Sequence, residues 1–129
     1  MPAAYYARAR AHLAARVTTE SDPRLLERAV AAAPMLIFVA DASMRYVAVN
    51  EYACDALGYR EDELLGLAVT DVAIESRARR DYNRMIESGW LVGVSRLRCK
   101  DGSEVTLRYR AGKTEVDGPE LYVSVGWLE

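Results

Sequence analysis

Residues 45–66 read Arg-Tyr-Val-Ala-Val-Asn-Glu-Tyr-Ala-Cys-Asp-Ala-Leu-Gly-Tyr-Arg-Glu-Asp-Glu-Leu-Leu-Gly, and a change of period inside this stretch decides the fold. Arg45 to Val49 is β-branched and aromatic, the composition of a strand. From Asn50 to Leu57 the pattern favours a short helix, and Gly58 is placed to supply the left-handed residue that closes it. Asn50 stands at the junction, where its side chain can hydrogen-bond backbone as strand gives way to helix. Arg60 to Leu65 reads as a further helical turn.

Toward the N-terminus, Met35 to Ala40 is an unbroken apolar run of strand length that ends in the turn composition Asp41-Ala42-Ser43. Residues 35–49 therefore read as a hairpin. Before it, Asp22-Pro23 has the form of a helix N-cap followed by proline at the first helical position. Leu25, Leu26, Ala29, Val30 and Ala33 then share one apolar face, and Pro34 ends the run.

Toward the C-terminus, Thr70 to Ala73 forms another single turn. Ser76 caps a longer helix to about Glu87, with Tyr82, Met85 and Ile86 on its inner side and Gly89 as its stop. Alternation returns after Trp90, and Cys99-Lys100-Asp101-Gly102-Ser103 supplies a turn between two strands. In the second of these, Val105, Leu107 and Tyr109 face one way and Thr106, Arg108 and Arg110 the other. Asp117-Gly118-Pro119 makes a last turn. Leu121, Val123, Val125 and Trp127 are expected to form the inward row of the final strand, with Tyr122 and Ser124 opposite. The order predicts an α+β domain: a five-stranded antiparallel sheet with helices on one face.

Composition narrows the function. A chain of 129 residues with 51% hydrophobic and 28% charged residues is one soluble globular domain. A net charge of −2 gives no general drive toward nucleic acid or anionic lipid, and no apolar run reaches membrane-spanning length. Cys54 and Cys99 have no paired spacing, so neither a disulfide framework nor a metal site is expected, and a reducing cytoplasmic setting fits. The single histidine, His12, excludes a His-pair metal site and a catalytic triad based in the domain body.

Residues 1–19 carry Arg8, Arg10 and Arg16 with no acid until Glu20, so the local charge is +3 and the remainder −5. The segment is alanine-rich, and Tyr6, Leu13 and Val17 make a thin apolar stripe. It reads as an accessory helix rather than a targeting signal, dividing the chain into an extension, 1–20, and a domain, 21–129. The stripe makes Tyr6, Leu13 and Val17 candidates for a homodimer interface.

Asn50, Ala53, Leu57-Gly58-Tyr59, Glu63-Leu64-Leu65-Gly66 and Lys100-Asp101-Gly102-Ser103 together resemble the PAS domain family, as do Asp41 after the first strand and the helix from Pro23. The resemblance spans residues 23–128. It implies a sensory or dimerisation module of signal transduction, with a pocket between a curved sheet and the helices for a small ligand, haem or flavin. Haem-binding members carry a histidine on the long helix, and Ser76 to Glu87 has none. Flavin-photosensing members carry an Asn-Cys-Arg-Phe-Leu-Gln helix, where this chain has Thr70-Asp71-Val72-Ala73-Ile74-Glu75. The resemblance therefore implies no haem and no covalent flavin, but leaves room for a non-covalent small ligand.

The candidate pocket residues are Phe38, Asn50, Tyr52, Leu57, Tyr82, Met85, Ile86, Leu97, Tyr109 and Trp127. Cys54 reads as a small buried hydrophobe, and Arg77, Arg79, Arg80 and Arg84 as a solvated helix face rather than an anion site. Two other functions compete with ligand sensing. One is a ligand-free dimerisation scaffold. The other is a small cone-shaped enzyme of ketosteroid-isomerase-like type with Asp41 or Asp71 as a lone base, disfavoured because neither has a second catalytic group to pair with. The last strand ends without a helical linker, so the chain is expected to act through a partner such as a kinase or regulator, or to be a piece of a longer protein.

Overall fold

A computed structural model describes residues 23–74, 77–115 and 119–129. Helix α1 (Pro23–Ala31) leads into strands β1 (Leu36–Asp41) and β2 (Tyr46–Val49). Four helices follow: α2 (Glu51–Leu57), α3 (Glu61–Leu64), α4 (Val69–Val72) and α5 (Ala78–Ser88). Strands β3 (Trp90–Arg98), β4 (Glu104–Glu115) and β5 (Glu120–Leu128) complete one sheet of order β2-β1-β5-β4-β3. Each neighbouring pair is antiparallel. The expected α+β architecture with a five-stranded antiparallel sheet is what forms.

The strand-to-helix junction is held by Asn50, which is only 4% exposed. Its Oδ1 accepts from the backbone N–H of Ala53 at 3.1 Å, capping α2, and from that of Ile37 at 3.0 Å. Its Nδ2 donates to the carbonyls of Met35 at 2.8 Å and Val30 at 3.3 Å. One buried amide thus ties α1, β1 and α2 together with four bonds, close to the most an Asn can make. Gly58, at φ 79°, ends α2 and sends its N–H to the Cys54 carbonyl at 2.8 Å.

The resembling motifs meet at one corner. The Lys100 N–H donates to the Leu57 carbonyl at 2.9 Å, and the Lys100 ammonium pairs with Glu63 at 2.7 Å. Asp101 accepts from both the backbone N–H and the hydroxyl of Ser103, which shapes the β3–β4 turn. In the β1–β2 turn Asp41 plays the same part, its Oδ1 accepting from the N–H and hydroxyl of Ser43 and the N–H of Arg45.

Three expectations change. Leu25, placed on the apolar face of α1, is 59% exposed. β4 runs on past Arg110 to Glu115, and its residues from Leu107 onward pair with β5. Most consequentially, the facing of β5 is reversed. Tyr122 belongs to the helix-side core with Phe38, Leu97 and Leu107, whereas Leu121 packs with Val39, Val47 and Ala48 on the other face of the sheet. Because side chains alternate, Val123, Val125 and Trp127 share that outer face with Leu121. The apolar parity of this strand points away from the helices.

The expected accessory helix and its Tyr6, Leu13 and Val17, together with His12, the Asp22 cap, the Ser76 cap and the turn at 117–118, lie outside the described residues. Among the described residues no helix is long and apolar enough to cross a membrane.

Candidate functional site

Between the sheet and α5 lies a cavity of about 100 Å³. It exists because small residues coincide on the floor. Ala111 of β4 is directly opposite Ser124 of β5, and Ala40 of β1 is opposite Tyr46 on one side and Tyr122 on the other. Ala73, after α4, and Ala78, on α5, are equally small and also line it. Aromatic rings wall the space: Phe38 and Tyr46 have centroids 5.4 Å apart, as do Tyr82 and Tyr122, the latter pair edge-on. Met85, Leu91, Leu97 and Leu107 complete the apolar lining.

The polar groups of the lining are few. The Tyr82 hydroxyl donates to the Asp41 carbonyl at 2.6 Å, fastening α5 to the end of β1. The Tyr122 hydroxyl donates to Glu120 at 3.0 Å. Burial raises the Tyr46 and Tyr82 phenols far above their ordinary value, and burial with the Glu120 bond pushes Tyr122 up to about 12, so all three are neutral donors near pH 7. At the rim Arg77 and Asp81 pair with each other at 3.7 Å, and an Arg77 guanidinium N–H donates to the Val94 carbonyl at 3.4 Å. Arg77 thereby spans the gap between the start of α5 and β3.

Of the residues singled out from sequence, Phe38, Tyr82, Met85, Leu97 and Tyr109 line this cavity. Asn50 does not, its polar atoms being committed to the α1–β1–α2 corner. Leu57 is buried in the core beneath α2, Ile86 packs against the core's margin, and Tyr52 is 42% exposed. Trp127 stands on the outer face, 48% exposed, because of the reversed parity of β5. Tyr46, Tyr122, Ser124, Ala40 and Ala111 are lining residues that sequence reasoning missed. For Ala40, Ala111 and Ser124 the signal was small-residue spacing, which is visible only once strand register is known.

Neither cysteine lines the cavity. Burial, with Glu61, Asp55 and Glu51 nearby, pushes the Cys54 thiol up to about 11, the opposite of activation. The Cys99 thiol donates weakly to the Ala56 carbonyl at 3.7 Å. The two carboxylates considered as bases hold turns instead: Asp41 as described, and Asp71 by accepting from the Ala68 N–H at 2.8 Å. Among the described residues no cluster suited to a metal ion occurs.

The outer face of the sheet is a second surface of note. Trp90 is 60% and Val92 56% exposed on β3, with Val94 and Trp127 also exposed. Register places Val94, Arg108 and Trp127 in one row and Val92, Arg110, Val125 and Ile37 in the next. Arg79, Arg80 and Arg84 of α5 are exposed to solvent, as expected for a solvated face.

A family model described as PAS domain matches residues 24–90. Among solved structures, a PAS domain from a two-component sensor histidine kinase superposes with a TM-score of 0.75 at 14% identity, covering 82% of this chain and 95% of that one. The PAS domain of an HTR-like protein from Haloarcula marismortui gives 0.74 at 20% identity, covering 82% and 90%. A domain of a sensory box sensor histidine kinase/response regulator from Geobacter sulfurreducens gives 0.69 at 25% identity, covering 83% and 98%. No curated protein shows significant similarity in sequence.

Proposed function

Because the chain belongs to the PAS domain family, we propose that it is a sensory module of signal transduction whose cavity binds a small ligand non-covalently and passes its occupancy to a partner. The observation that supports this is the cavity itself, since its lining joins α5 to all five strands, so a ligand touches both layers at once. A ligand bound there changes the helix–sheet packing by its own contacts, which is the differential interaction that any ligand-driven shift requires. Non-covalent binding follows from a lining without thiols and from the protonated state of Cys54. No catalytic role is assigned, since Asp41 and Asp71 are both used in turns.

The output surface in this proposal is the outer face of the sheet. Trp90, Val92, Val94 and Trp127 are large and exposed, and tryptophan and arginine are the residues that most often anchor protein interfaces. A homodimer forms through this face together with the extension bearing Tyr6, Leu13 and Val17, and a kinase or regulator in the cytoplasm reads its state.

Native mass spectrometry of freshly purified protein tests the reading. A small mass lost on denaturation, carried by a dimer, is the expected result. A dimer with no added mass favours the ligand-free scaffold, which the exposed outer face would explain alone. A clean monomer removes both.

A further inference from the structure

We infer that the cavity selects a neutral ligand of one ring, about the size of phenol, and that it takes neither flavin nor haem. The inference rests on the ligand-sensing reading above and adds the chemical class of the ligand. Volume is the first constraint. An apolar cavity of about 150 Å³ is known to accept benzene, whereas pockets for larger organic ligands begin at about 300 Å³. At about 100 Å³ the present cavity suits a single ring with small side-chain adjustments, and a three-ring isoalloxazine or a porphyrin exceeds it. The flavin and haem known in other members of the family therefore do not fit these residues, and no thiol or histidine lines the space to hold either.

Charge is the second constraint. The ionic side chains at the rim, Arg77 and Asp81, face each other and cancel. A carboxylate ligand would lose its hydration without gaining an uncommitted cation, and burying an unpaired charge is costly. Hydrogen bonding is the third. The hydroxyls of Tyr82 and Tyr122 are already used. Tyr46 and Ser124 also line the cavity, and neither hydroxyl bonds another described residue. Each is available to a polar substituent on a ring held over the floor that Ala40 and Ala111 help to form.

The full chain is titrated with phenol, toluene, benzoate and flavin mononucleotide while methyl NMR signals of Ala40, Ala111 and Met85 are followed. Phenol is expected to shift these methyls saturably, benzoate to bind at least about tenfold more weakly, and flavin mononucleotide to leave them unchanged. The Tyr46→Phe, Ser124→Ala double variant is expected to weaken phenol about five- to tenfold while toluene stays within about twofold. Flavin binding, benzoate equal to phenol, or phenol unaffected by the double variant each overturns the inference while leaving ligand sensing intact. If none of the four probes moves the three methyls, ligand sensing itself fails. Should the double variant not fold, the order of phenol, benzoate and flavin on the unaltered protein still decides.

Discussion

The Tyr109 ring lies across the Cα of Gly93, its partner on the neighbouring strand, so closely that a Cβ at position 93 would sit 3.1 Å from the phenolic oxygen. On the opposite side Tyr109 pairs with Gly126, where a Cβ would be 2.5 Å from the Arg108 carbonyl oxygen. A tyrosine between two glycines is thus laid flat as part of the cavity wall.

The two glycines should respond differently to alanine. At Gly93 the obstacle is the far end of a side chain, which can swing, so Gly93→Ala is expected to cost less than about 1 kcal/mol. At Gly126 the obstacle is backbone, and Gly126→Ala should cost about 1–3 kcal/mol, the usual range for overpacking. Urea unfolding of both variants checks this, and equal costs would contradict the contact geometry.

Asn50→Ala removes four hydrogen bonds at a buried corner and leaves two N–H groups and two carbonyls without that partner. The expected loss is at least about 3 kcal/mol, well above an ordinary substitution. A measured loss near 1 kcal/mol would mean that water replaces the amide.

Cys54 makes stability fall at alkaline pH. Its thiol stands at 9.0 ordinarily and at about 11 in the fold, so the folded state holds the proton more tightly. The contribution is complete below the lower value and is lost as pH rises through the higher one. In a Cys99→Ser background, thiolate absorbance should therefore titrate with a midpoint near 11. Alkylation of the folded protein at about pH 8 should be at least about tenfold slower than of the unfolded chain. A midpoint near the ordinary value would show that the thiol is neither desolvated nor influenced by its acidic neighbours.

On the outer face, the double variant Val92→Glu, Trp127→Glu should abolish self-association while changing monomer stability by no more than about 1 kcal/mol, since both side chains are exposed. Sedimentation velocity distinguishes the outcomes, with Arg79→Glu on α5 as the control that leaves association unchanged. Undiminished self-association of the double variant would exclude this face as the interface.

Much of the fold was legible locally. Asn50 and Gly58 mark both ends of α2, Gly89 ends α5, and Asp101-Gly102 shapes the hairpin, because the cap or turn bond of each is made to backbone within a few residues. The site was legible only in part. Phe38, Tyr82, Met85, Leu97 and Tyr109 were identifiable as large inward residues, but a cavity is made by what is small, and Ala40, Ala111 and Ser124 say nothing alone. They matter because register sets Ala111 against Ser124 and puts Ala40 between two tyrosines.

Element order, the turns at Asp41 and Asp101 and the family are all readable from the amino-acid sequence, since caps, glycines and alternation are short-range effects. Only the tertiary structure decided which side of β5 faces the helices. Leu121, Val123, Val125 and Trp127 form the more apolar row, and hydrophobicity alone assigns them to the core. Pairing with β1 and β4 is a long-range constraint, and it turns Tyr122 and Ser124 inward while presenting Trp127 to solvent. Because alternation has a period of two, that one choice of parity both opens the cavity and creates the exposed face.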